Sequence, residues 1–206
     1  SSGIASSASA MSALAMCLVD IERKLFGAFE EEETPVRKAS FIARLGSGSA
    51  SRSVFPQLGL WGKMEGVENS SNNFAIPFGN QVDPIFHSFH DDILIVSKKE
   101  KAVSSTAGHA LMEENIYANS RYQLAFQNMT SLLNHMKHAE LQAFGTLVEQ
   151  EALGLHALMM CSNPSYILIE PATISLINHI RAFRKDTKVP VYFSLDAGPN
   201  IHLLYP

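Results

Sequence analysis

Cysteine, tryptophan and net positive charge are all scarce in this chain. Its 2 cysteines, Cys17 and Cys161, are too few for a disulfide framework, and both lie in apolar helical patterns that fit a reducing compartment. The 16 Lys and Arg are outnumbered by 20 Asp and Glu, giving a formal net charge of −4 without a basic stripe, which excludes nucleic acid as the main partner. No apolar run approaches the roughly 20 residues that a membrane helix needs, and no signal peptide is visible. The expectation is a cytoplasmic protein with no membrane partner. Internal repeats are lacking, and the sole biased tract is Glu30-Glu-Glu-Glu33, a solvated break, since consecutive carboxylates on one turn diverge. With 46% hydrophobic residues, the chain can bury one substantial core or two small ones.

What is present is a set of periodic segments. Met11, Leu14, Leu18, Ile21 and Leu25 recur at three- and four-residue spacing and predict an amphipathic helix with one buried stripe. A second helix is predicted over about Val36 to Leu45. Leu60-Trp-Gly-Lys-Met64 reads as a short strand, Gly66 to Gly79 as a loop, and Ile93-Leu-Ile-Val96 as a buried strand. Tyr122, Phe126, Met129, Leu133 and Met136 predict a long helix, and Leu141, Phe144, Val148, Leu155 and Met159 another. Tyr166-Ile-Leu-Ile169 is strand-like, Ala172 to Arg184 helical, and Val189 to Leu195 a strand. Ile201-His-Leu-Leu204 is its hairpin partner across a Gly-Pro turn. The sum is α+β, helices packed on a mostly antiparallel sheet. Ser97-Lys-Lys-Glu-Lys101 interrupts the apolar pattern, which places a boundary near residues 97–103 and divides the chain into 1–100 and 101–206.

Three segments carry chemistry. Ser1-Ser-Gly-Ile-Ala-Ser-Ser-Ala8 runs directly into the first helix, where unpaired backbone N–H groups and the helix dipole favour an anion. Ser6 and Ser7 can equally serve as caps, and the two roles use the same donors. No Walker lysine follows, so this is not a P-loop. Gly46-Ser-Gly-Ser-Ala-Ser-Arg-Ser53 sets Arg52 three residues after Ser49, a guanidinium suited to carboxylate or phosphate, unless Arg52 is a surface or structural arginine. Phe193-Ser-Leu-Asp-Ala-Gly-Pro-Asn200 puts Asp196 at a strand end, either as a base or as the head of an Asx-turn.

These segments resemble the diphosphomevalonate decarboxylase family of the GHMP kinase superfamily. Gly3-Ile-Ala-Ser-Ser-Ala8 matches the later part of a phosphate loop that reads Pro-x-x-x-Gly-Leu-x-Ser-Ser-Ala. Ser47 to Ser53 matches Ser-Gly-Ser-Ala-x-Arg-Ser, with Ser51 where many relatives have Cys. Asp196 to Asn200 matches Asp-Ala-Gly-Pro-Asn, the segment that separates decarboxylases from the superfamily's small-molecule kinases. Val103-Ser-Ser-Thr-x-Gly108 also resembles the family. The resemblance implies a two-lobe GHMP-kinase-like fold, with part of a ribosomal-S5-like first lobe and a ferredoxin-like C-terminal α/β sandwich. It implies ATP and Mg²⁺, with Gly3, Ala5, Ser6 and Ser7 at the nucleotide phosphates. Ser47, Ser49, Arg52, Ser104 and Ser105 would contact the substrate, with Asp196, Arg52 and Ser49 catalytic. The implied reaction is ATP-dependent decarboxylation of 5-diphosphomevalonate to isopentenyl diphosphate by a homodimer. The alternatives are a GHMP kinase that stops at the phosphorylated alcohol, or a half that is inert without further residues. Relatives extend upstream of the loop and beyond Pro206, so the chain is expected to be the later portion of a longer enzyme, by itself binding Mg-ATP weakly or not at all and showing no decarboxylase activity.

The histidines are read as bystanders. His87-Ser-Phe-His90-Asp91-Asp92 and the pair His135 and His138 have ligand-like spacing, but neither has a third spaced ligand or a Cys partner, and no metal site is assigned. His156 lies in a helix that faces the cleft in the resembling family. The expectation for it is a satisfied buried histidine.

Overall fold

A computed structural model describes residues 6–27, 35–98 and 115–206. Gly3, Ala5, Ser104, Ser105 and the acidic run therefore lie outside the described residues. The chain divides into two compact units between Gln81 and Val82. The boundary expected after residue 100 differs from this division, because the strand at 90–94 pairs within the second unit.

In the first unit, α1 (Ser6–Phe26) and α2 (Pro35–Gly46) pack through small residues. Ala8, Ala15 and Val19 of α1 meet Ala39 and Ala43 of α2, together with Ala50, and Met11 packs against this cluster. Met11 also lies directly on Gly46, where a Cβ would strike its side chain. The expected stripe of large residues is therefore corrected. Leu14, Leu18, Ile21 and Leu25 are 47–69% exposed, and the Ala8–Ser12–Ala15–Val19 stripe is the buried one. Two helices approach closely only where side chains are short, so the small-residue face takes the helix–helix contact. α1 ends at Gly27, whose φ of +61° is the left-handed C′ conformation.

A two-stranded ribbon completes this unit: β1 (Gly59–Trp61) pairs antiparallel with β2 (Ala75–Pro77), Leu60 opposite Ile76. β2 falls within the segment read as loop, since three residues are too few to show a period. Buried Ser40 joins the parts, its hydroxyl donating to the Ser51 carbonyl (2.8 Å) and accepting from Ala75 N–H (2.8 Å).

The second unit has a three-stranded antiparallel sheet ordered β3 (His90–Leu94), β5 (Ile201–Tyr205), β4 (Tyr192–Leu195). β4 and β5 form the expected hairpin, Leu195 opposite Ile201 and Phe193 opposite Leu203. β3 begins earlier than expected and is largely exposed, being paired among the described residues on one side only, to β5. The helices are α3 (Ala118–Lys137), α4 (Leu141–Met160) and α5 (Pro171–Thr187), close to expectation. Along α3, Met136 is buried while Tyr122 and Phe126 are exposed, so only part of the predicted stripe is covered. Residues 166–169 form no strand. They lead into the capping box of Glu170 and Thr173 and find no ladder partner among the described residues. Cys17 and Cys161 are both free and exposed.

The core of this unit joins Ala152 of α4, Ile177 and Ile180 of α5, and Val191, Phe193, Leu195 and Ile201 of the hairpin. Beside it, buried Glu149 accepts from Arg184 at 2.6 Å, and the same guanidinium nitrogen donates to the Val191 carbonyl. The pair fixes α4 to α5 and to the start of β4. α4 comes so close to β4 that a Cβ at Gly145 would lie inside the Tyr192 ring. Alanine favours a helix interior over glycine by about 1 kcal/mol, yet overpacking a core costs about 1–3 kcal/mol. Gly145→Ala is thus expected to destabilise the fold, by about 1 kcal/mol or more. A urea unfolding midpoint raised by the substitution would contradict this packing.

Candidate active site

In the first unit, the N-terminus of α1 lies against the end of α2. The Ser7 and Ser47 hydroxyls are 3.4 Å apart, which joins two motifs separated by 40 residues. Ser6 and Ser7 are exposed, and the first turn of α1 carries no acidic side chain to compete for its free N–H groups. Ser9 turns inward along the helix instead, donating to the Ser6 carbonyl at 3.2 Å.

Ser47 is the extended residue that enters a single 3₁₀ turn, Gly48–Ser51, and its side chain makes no capping bond there. Ser49 and Arg52 are three residues apart on this turn, where positions i and i+3 eclipse. Their side chains therefore leave on one side. Arg52 donates its main-chain N–H to the Ser49 carbonyl at 3.2 Å. Its guanidinium forms no ion pair among the described residues, although the residue is exposed as a whole. Surrounding protein atoms lower its pKa from the ordinary value by desolvation. Exposure decides its charge state: the guanidinium remains protonated and available to an anion.

The turn is backed by residues that sequence reasoning did not assign to the site. The Trp61 ring lies over Gly48, where a Cβ would come within 2.9 Å of it, and Trp61 is held by its indole N–H on the Asn72 carbonyl at 2.9 Å. The single Trp in a short strand after the motif was the available signal. Ser51 is fully buried, donating to the Gly48 carbonyl at 2.9 Å, so the position is structural in this chain.

Asp196 stands in the second unit, half-buried at the end of β4. Its Oδ1 accepts from Ala197 N–H at 2.8 Å, not from the residue two on, so this is not an Asx-turn. Gly198 N–H instead reaches the Asp196 carbonyl at 2.7 Å. Oδ2 has no hydrogen-bond partner among the described residues. The connection 196–200 is gripped by three other segments. His156 of α4 bonds the Asp196 carbonyl at 3.2 Å, and Thr173 of α5 donates to the Pro199 carbonyl at 2.7 Å. Asn200 Oδ1 accepts from Val96 N–H (2.8 Å) and Ser97 N–H (3.0 Å), just beyond β3.

His156 is 2% exposed, the satisfied buried histidine that was expected. Other described histidines are engaged with neighbouring side chains or main chain. His90 stacks on Tyr205, whose hydroxyl donates to Asp92 at 2.6 Å, while His202 bonds Asp91 at 2.9 Å. His135 bonds Glu140, and His138 donates to the Asn134 carbonyl. An open groove of about 660 Å³ beside His135, Leu141, Thr146 and Gln150 contains none of the expected site residues. No cluster of three or more metal-ligating side chains occurs among the described residues.

The comparisons with known proteins agree along the chain. Residues 1–73 match the family model described as diphosphomevalonate decarboxylase-like N-terminal domain. Residues 92–206 match that of the mevalonate 5-diphosphate decarboxylase C-terminal domain. Diphosphomevalonate decarboxylase of Debaryomyces hansenii is 28% identical over 211 residues, covering 98% of this chain and 50% of the relative. The crystal structure of a mevalonate diphosphate decarboxylase from Legionella pneumophila superposes with a TM-score of 0.81 at 25% identity, covering 98% of this chain and 59% of that one. The structure of MDDEF in complex with MVAPP, AMPPCP and magnesium gives 0.77, also at 25% identity, over 98% and 58%. The chain spans about half the length of the curated relatives it matches.

Burial lowers the His156 pKa below its ordinary value, outweighing the opposing pull of the Asp196 carbonyl and charge. As pH falls through about 6.5, the unfolded chain takes up a proton that the folded chain resists. The neutral ring's contribution is thus complete above about pH 6.5 and is lost as pH falls toward the lower folded pKa. Chemical unfolding at about pH 7.5 and 5.5 should show His156→Gln losing less stability on acidification than the parent. Equal losses in the two proteins would contradict a depressed pKa.

Proposed function

This chain belongs to the mevalonate 5-diphosphate decarboxylase family, and from that premise we propose that it carries site residues of an ATP-dependent decarboxylase. The substrate is 5-diphosphomevalonate, and the products are isopentenyl diphosphate, ADP, phosphate and CO2. The observation that carries this reading is Asp196, a carboxylate with one oxygen anchored and the other without a hydrogen-bond partner among the described residues, on a turn held from three sides.

Asp196 accepts or orients the proton of the tertiary hydroxyl as that oxygen takes the γ-phosphoryl group. Loss of the resulting phosphate leaves an electron-poor carbon, and the electrons of the departing carboxylate's C–C bond fill it as CO2 leaves. Ser6 and Ser7, at the free N–H groups of α1, position the nucleotide phosphates together with Gly3 and Ala5. Arg52 and Ser49, leaving one side of their turn, hold the substrate's anionic end, with Ser47, Ser104 and Ser105 in support. The complex of MDDEF with MVAPP, AMPPCP and magnesium supports a nucleotide and a divalent cation here. Magnesium supplies charge neutralisation on the phosphates, and the hydroxyl-rich, carboxylate-free first turn of α1 suits a cation that arrives with the nucleotide. The working enzyme is a cytoplasmic homodimer. No described helix is long and apolar enough to cross a membrane, and the net charge gives nucleic acid no footing.

A GHMP kinase that stops at the phosphorylated alcohol would release no CO2, so a CO2-release assay beside an ADP assay decides between the two. In an active enzyme containing this chain, Asp196→Asn should lower turnover by roughly 10²–10⁴-fold, the usual cost of losing a positioned base. ATP affinity should stay within a few-fold. Near-parental CO2 release by this variant would end the assignment.

Arg52→Ala should damage substrate binding and the chemical step together. Arg52→Lys should restore little, because an ammonium cannot reproduce the two-pronged contact of a guanidinium. Full activity of the lysine variant in steady-state kinetics would show that Arg52 makes no directional contact.

A further inference from the structure

We propose that His156 is the positioning residue for Asp196, fixing the direction of its carboxylate through the peptide group that joins Asp196 to Ala197. This rests on the reading of Asp196 as the base or hydroxyl-orienting group. A carbonyl oxygen only accepts, so the bond at 3.2 Å between His156 Nε2 and the Asp196 carbonyl requires the proton to be on Nε2. Burial disfavours the charged ring, so the Nε2–H tautomer is set by that bond. The ring has little freedom, being 2% exposed on α4 between buried Ala152 and buried Met159.

The acceptor oxygen and the Ala197 N–H belong to one planar unit. That same N–H donates to Asp196 Oδ1 at 2.8 Å. The contacts therefore form a continuous line: the His156 N–H holds the oxygen edge of the peptide plane, and the nitrogen edge of that plane holds the carboxylate. Hydrogen bonds in such a line polarise one another, each strengthening the next. If the plane rotates, Oδ1 loses its donor, and Oδ2, the oxygen without a partner among the described residues, is no longer aimed. Gly198 N–H shares the same carbonyl at 2.7 Å, so the grip is two-sided. The histidine acts on the carboxylate without touching substrate.

Three variants of His156 separate this role from packing. Gln places an amide N–H near the Nε2 position, Asn places one near Nδ1, and Leu fills volume with no donor. In an active enzyme containing this chain, Leu and Asn should each lower kcat by roughly 10- to 100-fold, the scale of a small misplacement of a reacting group. KM for both substrates should stay within about threefold, and Gln should recover most of kcat. In ¹⁵N-labelled protein, the Ala197 amide proton should shift in the Leu and Asn variants and hold its parental position in Gln. If Leu does not fold, the contrast of Gln with Asn decides alone. Equal activity loss in Gln and Asn, or an Ala197 resonance unmoved in all three, overturns the proposal. Asp196→Asn assayed alongside reports on the underlying reading: if it turns over normally the line of bonds is only structural, and the proposal falls with that reading while the Ala197 shifts persist.

Discussion

A chain that leaves a sheet for five residues and returns must find partners for main-chain groups that no ladder supplies. Between Leu195 and Ile201 the Asp196 and Pro199 carbonyls are met by residues of α4 and α5, and the Ala197 and Gly198 N–H groups by Asp196 itself. His156 serves the Asp196 carbonyl, Thr173 the Pro199 carbonyl, and Asn200 reaches back to the amides of Val96 and Ser97. Buried polar groups left without partners cost about 1–3 kcal/mol each. The requirement therefore constrains α4, α5 and the end of β3 simultaneously. Thr173 shows the economy of the arrangement, since the hydroxyl that holds Pro199 also accepts from Glu170 N–H at the start of α5. The placement of a helix start and of the Asp196 turn are one event.

The first unit obeys a different constraint, close approach. Alanine and serine line the facing sides of α1 and α2, and the serine-rich turn fits because Gly48 leaves room for the Trp61 ring. Buried Ser40 then links that turn to β2. Shortness of side chain thus fixes where Ser7, Ser47, Ser49 and Arg52 emerge. The motif's small residues are a packing requirement as much as a chemical one. Ser51 belongs wholly to the packing, being buried and bonded inside the turn.

Periodicity made the helices legible, but not which face each would bury. On α1 the apolar residues lie on two faces, one of large side chains and one of small, and the sequence rule that favours large residues chose the wrong one. The contest was settled by α2, whose own Ala39 and Ala43 accept only a close neighbour. β2 and the lack of a strand at 166–169 were hidden for related reasons, since a three-residue strand shows no alternation and an apolar run does not reveal whether a ladder partner exists. The β4–β5 hairpin was readable because its cue is local, two apolar runs around Gly198-Pro199. His156 could be recognised as buried, but its partner could not be read, since 40 residues separate it from Asp196.

Motif wording indicated Asp196, Ser49 and Arg52 without indicating how their groups stay available. Availability is a matter of what each group does not bond. An aspartate at a strand end can spend both oxygens on its own turn, which makes it structural. Here the Gly198 N–H that would complete an Asx-turn is taken by the Asp196 carbonyl instead, leaving the carboxylate with a single donor among the described residues. Pro199 contributes by lacking an N–H, so it offers no donor to Oδ2, which has no hydrogen-bond partner among the described residues. Ser49 and Arg52 are spared in a parallel way. Their turn is closed by main-chain bonds from Ala50 to Ser47 and from Arg52 to Ser49, and by the Ser51 hydroxyl on Gly48, so neither side chain is needed to hold it. In both units the turns are held by the backbone and buried neighbours, which leaves Asp196 Oδ2 and the Ser49 and Arg52 side chains without a hydrogen bond among the described residues, the groups proposed above to meet a ligand.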